Sequence, residues 1–139
     1  MRIEAPGLVY ISGPMTGYEE FNRPAFNEAR EHLQNIGFSV IVPGDDEEYT
    51  IRERLAWKVT DTSRRAYMFR DFLHVLTANY VAVLDGWEES KGSKAEVLVA
   101  QEIGLPVFYW DTLEPVEEEV TTNALRTIGR ATDNIIHGG

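Results

Sequence analysis

The chain has no cysteine. It therefore has no disulfide framework, no thiolate nucleophile and no zinc–thiolate site. It also lacks any run approaching the roughly 20 apolar residues that span a bilayer, which argues against membrane insertion. Met1-Arg2-Ile3-Glu4-Ala5-Pro6 has no apolar core of the signal-peptide kind, so the expected location is cytoplasmic. Positive charge is scarce as well: 13 Lys and Arg face 23 Asp and Glu, a net charge of −10, with no basic run. Binding a nucleic-acid polymer rests on Lys and Arg neutralising phosphates, and this composition argues against such a partner. A small anion is not excluded, because backbone N–H groups at a helix start hold one phosphate without a basic surface.

What is present fits one globular domain. At 139 residues the chain is long enough to bury about two thirds of its unfolded surface. Gly7 to Ser12 (GLVYIS) reads as a buried strand ending at Gly13-Pro14. From Asn22 a helical period follows, with Phe26, Ala29, Leu33 and Ile36 on one face. Asn22 is placed to cap it, Pro24 sits in its first turn and Gly37 ends it. Phe38 to Val42 is a second strand closed by Pro43-Gly44. Asp45 to Glu48 forms an acidic turn, and Thr50 to Lys58 suits a short helix. Ser63 to Ala78 reads as a helix with Ala66, Phe69, Leu73 and Leu76 facing inward. Tyr80-Val81-Ala82-Val83-Leu84 is continuously apolar, as strands covered on both faces are. A loop from Asp85 to Gly92 leads to a helix over Ser93–Ile103, capped by Gly104, and Pro106 to Trp110 is a fourth strand.

Strands alternating with helices predict an α/β fold: an open, mainly parallel Rossmann- or flavodoxin-like sheet of four to five strands with helices on both faces. We place this domain at residues 1–110. Residues 111–139 read as an acidic, helical tail whose thin stripe of Val116, Val120, Ala124 and Ile128 docks on the domain or on another subunit.

In such sheets ligands bind beyond the carboxyl ends of the strands. Three segments lie there: Ser12 to Gly17, the stretch after Val42, and Asp85 to Gly92. The first matches neither a P-loop nor a dinucleotide fingerprint, and its plain reading is a tight turn. His32, His74 and His137 lie on a helix surface, within a helix and in the tail. None is at a strand end, and their spacing gives neither a nucleophilic triad nor a metal site. Carboxylates are left: Asp71, Asp85 and Glu96. Glu96 has two readings. Ser93-Lys94-Ala95-Glu96 fits a capping box in which Glu96 reaches back to a free backbone N–H. Alternatively it points into a cleft at the strand-to-helix junction. One carboxylate can attack an anomeric carbon while a second carboxyl group handles the leaving group.

Together YISGPMTG, FNRPAFNEA and VAVLDGWEESKGSKAEVLVAQEIGLPVFYW resemble the nucleoside 2-deoxyribosyltransferase-like superfamily over residues 8 to 110. The resemblance is to its small phage-associated branch, related to nucleoside 5′-monophosphate N-glycosidases. It implies cleavage or transfer at the N-glycosidic bond of a (deoxy)nucleoside or its 5′-monophosphate. Its nucleophile falls on Glu96, with Asp71 handling protons near base and ribose. The ligand positions it implies are Tyr10, Ser12, Gly13, Met15, Thr16, Gly17, Ser90 and Gly92. Asp85 is added as a residue orienting Glu96 or the sugar. Trp87 and the region of Phe21 are placed to stack on a base or to cover the core. No cofactor or metal is implied; the partners are a small nucleoside or nucleotide and further copies of the chain. The host cytoplasm is the implied location if a phage encodes it. A helix start would keep Glu96 ionised.

The chain also departs from that pattern. Asn79 stands where the superfamily has an aspartate. Thr16 replaces a basic residue of the monophosphate-cleaving members, leaving Arg23, Lys91 and Lys94 as substitutes near in sequence. Asn123 is the candidate for a polar group lent by a neighbour's tail. A protein that binds a nucleotide or nucleotide signal without turning it over stays open at this stage, as does an assembly role for the acidic tail.

Overall fold

The computed structural model describes residues 7–43 and 64–117. The expected turn and helix between residues 45 and 58 lie outside them, as do Asn123, His137 and most of the tail. Four strands are present: β1 (Leu8–Ser12), β2 (Ser39–Ile41), β3 (Tyr80–Val83) and β4 (Val107–Tyr109). All pair in parallel in the order β2-β1-β3-β4. The helices are α1 (Arg23–Ile36), α2 (Arg64–Thr77) and α3 (Lys91–Glu102).

β3 is apolar and buried throughout because both of its faces are covered. Val9 and Ile11 of β1 pack with Phe26, Ala29 and Leu33 of α1. Tyr10 joins Val75 and Ala78 from the α2 side and Val97 and Ala100 of α3. Period-two alternation along β1 therefore sends Tyr10 and Ser12 to the face held by α2 and α3. The chain runs from β1 to β2 on one side and then crosses to β3 on the other. The carboxyl ends of β1 and β3 thus flank the point where winding reverses, the usual ligand crevice of such sheets. Gly13 is required there: a Cβ on it would lie 2.6 Å from Leu84 Cδ1 and 2.8 Å from Leu84 Cβ.

Three expectations need correction. Asn22 occupies the N-cap position of α1 but makes no capping bond; its Nδ2 donates to Pro14 O at 2.9 Å and ties down the loop after β1. The inward face of α2 is not the Phe69–Leu73–Leu76 stripe. Phe69 and Leu76 are 41% and 52% exposed, whereas Arg70, Val75 and Ala78 are buried. The third correction concerns the start of α3. Its N-cap is Ser90, whose Oγ accepts from Ser93 N at 3.2 Å, so the helix begins at Lys91 and not at Ser93.

Past β4 the chain folds back. Tyr109 N donates to Glu114 O and Val116 N to Val107 O, and Val116 is buried with the α3-side core. Asn79 lies just before β3 at the sheet's amino end, where its Oδ1 accepts from Leu8 N at 2.9 Å. Its role there is to join β1 to β3, far from the carboxyl-end loops. Among the described residues no helix is long and apolar enough to cross a membrane.

Candidate active site

With α3 starting at Lys91, Glu96 is its sixth residue and faces the sheet. It does not fold back on a backbone amide. Tyr10 Oη donates to Glu96 Oε2 at 2.5 Å, and Ser12 Oγ donates to Glu96 Oε1 at 2.9 Å. Both partners come from β1, two residues apart on one face, and one hydroxyl serves each carboxyl oxygen. The capping box is thus overturned: Ser90 caps the helix, while Ser93 Oγ is buried without a hydrogen-bond partner among the described residues.

Glu96 is only 6% exposed. Its pKa is pushed up to about 8, first by burial and next by the charge of Asp71, against the lowering effect of the Tyr10 and Ser12 hydrogen bonds. The expectation that the helix dipole keeps it ionised fails. The dipole acts within the first turn, and Glu96 lies beyond it, in a site that withholds water and places a second carboxyl group nearby. Tyr10 is likewise raised well above the usual tyrosine value, by burial first and then by Glu96 and Asp71. Asp71, half-buried on α2, acts electrostatically on both. Two carboxyl groups in one buried site do not readily both ionise, so this pair holds a proton near neutrality.

The remaining sequence-derived positions divide by location. Ser90 and Gly92 lie at the α3 start, and a Cβ on Gly92 would meet only Ser90 Oγ, at 3.9 Å. Asp85 is exposed in the loop after β3. Thr16 and Gly17 are exposed in the loop after β1, where Gly17 takes φ +85°, while Met15 packs on the α1-side core. Trp87 is 1% exposed among Tyr10, Val83 and Val97, so it covers the core and offers no open ring face for stacking. Phe21 is 65% exposed. It sits in a left-handed run of three non-glycine residues, Glu20, Phe21 and Asn22, with φ of 53°, 55° and 65°.

Two aromatic neighbours were missed from sequence. Tyr18 Oη lies 3.0 Å from where a Gly86 Cβ would be, so the loops after β1 and β3 meet at this tyrosine. His74 stacks on Tyr10, ring centroids 6.2 Å apart and planes inclined by 21°. The signal for His74 was its spacing: it follows Asp71 by three residues, which puts both on one helical face. Among the described residues no three His, Asp or Glu side chains gather as a metal site.

Comparison with solved structures finds a 2-deoxyribosyltransferase from the psychrotolerant bacterium Bacillus psychrosaccharolyticus. It is 20% identical with a TM-score of 0.55, covering 84% of this chain and 81% of that one. At that identity the likeness is one of fold, and it agrees with the parallel α/β sheet described above. No curated protein matches the chain. The family described as Domain of unknown function (DUF4406) matches residues 8–109, which takes in every strand and Glu96, and the chain belongs to that family.

Proposed function

We propose that the protein cleaves or transfers at the N-glycosidic bond of a (deoxy)nucleoside or nucleoside 5′-monophosphate. Glu96 is the nucleophile and Asp71 the proton-handling group. The observation that carries this reading is the pairing of Tyr10 Oη and Ser12 Oγ on the two oxygens of a buried Glu96 with Asp71 close by. The fold likeness to a 2-deoxyribosyltransferase supports it.

The reactive state is the one in which the pair's proton sits on Asp71 and Glu96 is the anion. Glu96 attacks C1′, and the C1′–N bond breaks with its electron pair moving to the base, which takes the proton from Asp71. Tyr10 and Ser12 hold the carboxylate oriented during attack. Water, or a second base, then attacks C1′ from the opposite face with Asp71 as the general base. This frees Glu96 and retains the starting configuration. Ser90 and Gly92 at the start of α3 suit the 5′ end of the ligand, and exposed Phe21 and Tyr18 suit a flat base. The same reading includes a homodimer or larger homo-oligomer in the cytoplasm, that of the host if a phage encodes the protein.

One observation favours a second reading, a nucleotide-binding protein without turnover. With its pKa near 8, Glu96 is mainly a neutral acid at pH 7, a state suited to donating a hydrogen bond. The two readings separate on Glu96→Gln, incubated with a panel of nucleosides and monophosphates with and without a second free base. Under the glycosidic reading wild type releases or exchanges base and the variant loses about 10³-fold or more of that rate. Intact ligand recovered from both proteins, with affinity surviving the substitution, establishes the binding reading instead.

A further inference from the structure

We propose that Ser93 is a specificity-determining residue whose hydroxyl meets the 2′-hydroxyl of the sugar, so that a ribonucleoside or its 5′-monophosphate is preferred over the 2′-deoxy form. The choice of sugar atom rests on the reading of Glu96 as the group that attacks C1′; the unpaired hydroxyl beside the carboxylate does not.

Ser93 is 1% exposed, and its Oγ has no hydrogen-bond partner among the described residues. A helical serine often turns its hydroxyl back to a carbonyl of the preceding turn; this one does not. Its backbone is provided for, because Ser93 N donates to Ser90 Oγ at 3.2 Å. A buried hydroxyl left unpaired works against folding, and alanine would fill the same space without it. The group therefore calls for a partner that the described residues do not supply.

Its place says which. Ser93 precedes Glu96 by three residues on α3, so the two side chains are neighbours on one helix face. Side chains of a helix lean toward its amino end, and α3 begins after the loop that follows β3, beside the crevice. Ser93 thus lies one turn nearer the crevice than Glu96, between it and Ser90 at the helix start. Tyr10 and Ser12 commit their hydroxyls to Glu96, whereas that of Ser93 is uncommitted. Glu96 is itself 6% exposed, so a sugar that reaches the carboxylate comes within range of Ser93.

Stereochemistry selects the sugar atom. In a β-nucleoside the base stands on one face of the ring and the 2′ and 3′ hydroxyls of ribose on the other. A nucleophile that displaces the base approaches from that other face. Glu96 and the side chain next to it therefore look onto the hydroxyl-bearing face. C2′ is bonded to the carbon under attack, so its hydroxyl is the one beside the nucleophile, and hydrogen bonds to it strengthen in the transition state. A sugar without that hydroxyl leaves the serine unpaired and is disfavoured.

The test compares wild type with Ser93→Ala on the common ribonucleosides, their 5′-monophosphates and the 2′-deoxy counterpart of each. Alanine removes only the oxygen, and thermal unfolding checks that the variant is folded. The readout is the ratio of kcat/KM for a ribo substrate to that for its deoxy counterpart, in which general damage to the site cancels. This ratio is expected to fall about tenfold in Ser93→Ala. An unchanged ratio with turnover intact overturns the role of Ser93 and leaves the glycosidic reading standing. Where neither protein turns over any substrate, dissociation constants for the same pairs are measured by calorimetry. A ribo preference that Ser93→Ala abolishes then supports Ser93 while the glycosidic reading fails. A preference that persists in the variant, equal affinities in both proteins, or no binding at all overturns both.

Discussion

Glu96 Oε2 and Oε1 each accept one hydroxyl, and this division decides how substitutions at the site act. Both hydrogen bonds favour the carboxylate, with that from Tyr10 having the larger effect. Tyr10→Phe removes the stronger one and leaves the burial that raises Glu96. The ionisation of Glu96 therefore moves further above 8, and Ser12→Ala moves it in the same direction by less. In the proposed reactive state the pair keeps one proton, on Asp71, so kcat/KM of the wild type falls about tenfold per pH unit above about pH 8, where that proton is lost. In Tyr10→Phe that limb shifts upward, which a pH–rate profile of base release checks. A limb centred near the ordinary glutamate value of 4.5 would refute the picture. Glu96, Tyr10 and Ser12 were all named from sequence, but the last two as ligand positions implied by the resemblance and not as hydrogen-bond partners of the carboxylate. The charge state was not legible there, because burial and the Asp71 neighbour are three-dimensional facts.

The start of α3 shows how one element's boundary changes a residue's meaning. Ser-Lys-Gly-Ser-Lys-Ala-Glu offers two serines three residues apart, and either can open the helix on local pattern alone. The pattern of Ser93 with Glu96 looks better because it completes a box. The fold chooses Ser90, since Glu96 finds stronger partners on β1. Ser90→Ala should therefore cost about 1 kcal/mol. Ser93→Ala should be close to neutral or stabilising, because its buried oxygen makes no hydrogen bond among the described residues. Chemical denaturation of the two variants measures this directly, and the reverse order would restore the box. A related misreading affects α2. Its sheet-facing seam carries Asp71 and His74, and two polar residues on the inner face dilute the apolar period. Counting hydrophobic residues then points to the face bearing Phe69 and Leu76, which is exposed. Polar residues on the inner face are what hid the helix phase.

For the molecule as a whole, the parallel α/β layering follows from features plain in the sequence. Continuous apolar strands require cover on both faces, and helices between them require parallel crossovers. What pattern alone could not show is which strand ends converge: β1 and β3 become neighbours only because β2 lies on the outer side of β1. That convergence puts a raised carboxyl group in the interior and links the site to global stability. Glu96 has a folded pKa of about 8 against an ordinary value of 4.5, so between those limits the folded protein keeps a proton that the unfolded chain has released. Stability from this group is full below the lower value and is lost as pH climbs through the upper one, at no more than roughly 1.4 kcal/mol per pH unit. Glu96→Gln cannot ionise and escapes that loss while keeping an acceptor for one of the two hydroxyls. Its melting temperature relative to wild type should consequently rise between about pH 5 and about pH 8.5. A gain of a few kcal/mol corresponds to roughly 3–5 °C for each kcal/mol in a domain of this size. Thermal unfolding of the two proteins at a series of pH values reads the difference. Parallel curves would mean that Glu96 ionises alike in the folded and unfolded chain, in which case the buried pair with Asp71 does not hold the proton assigned to it.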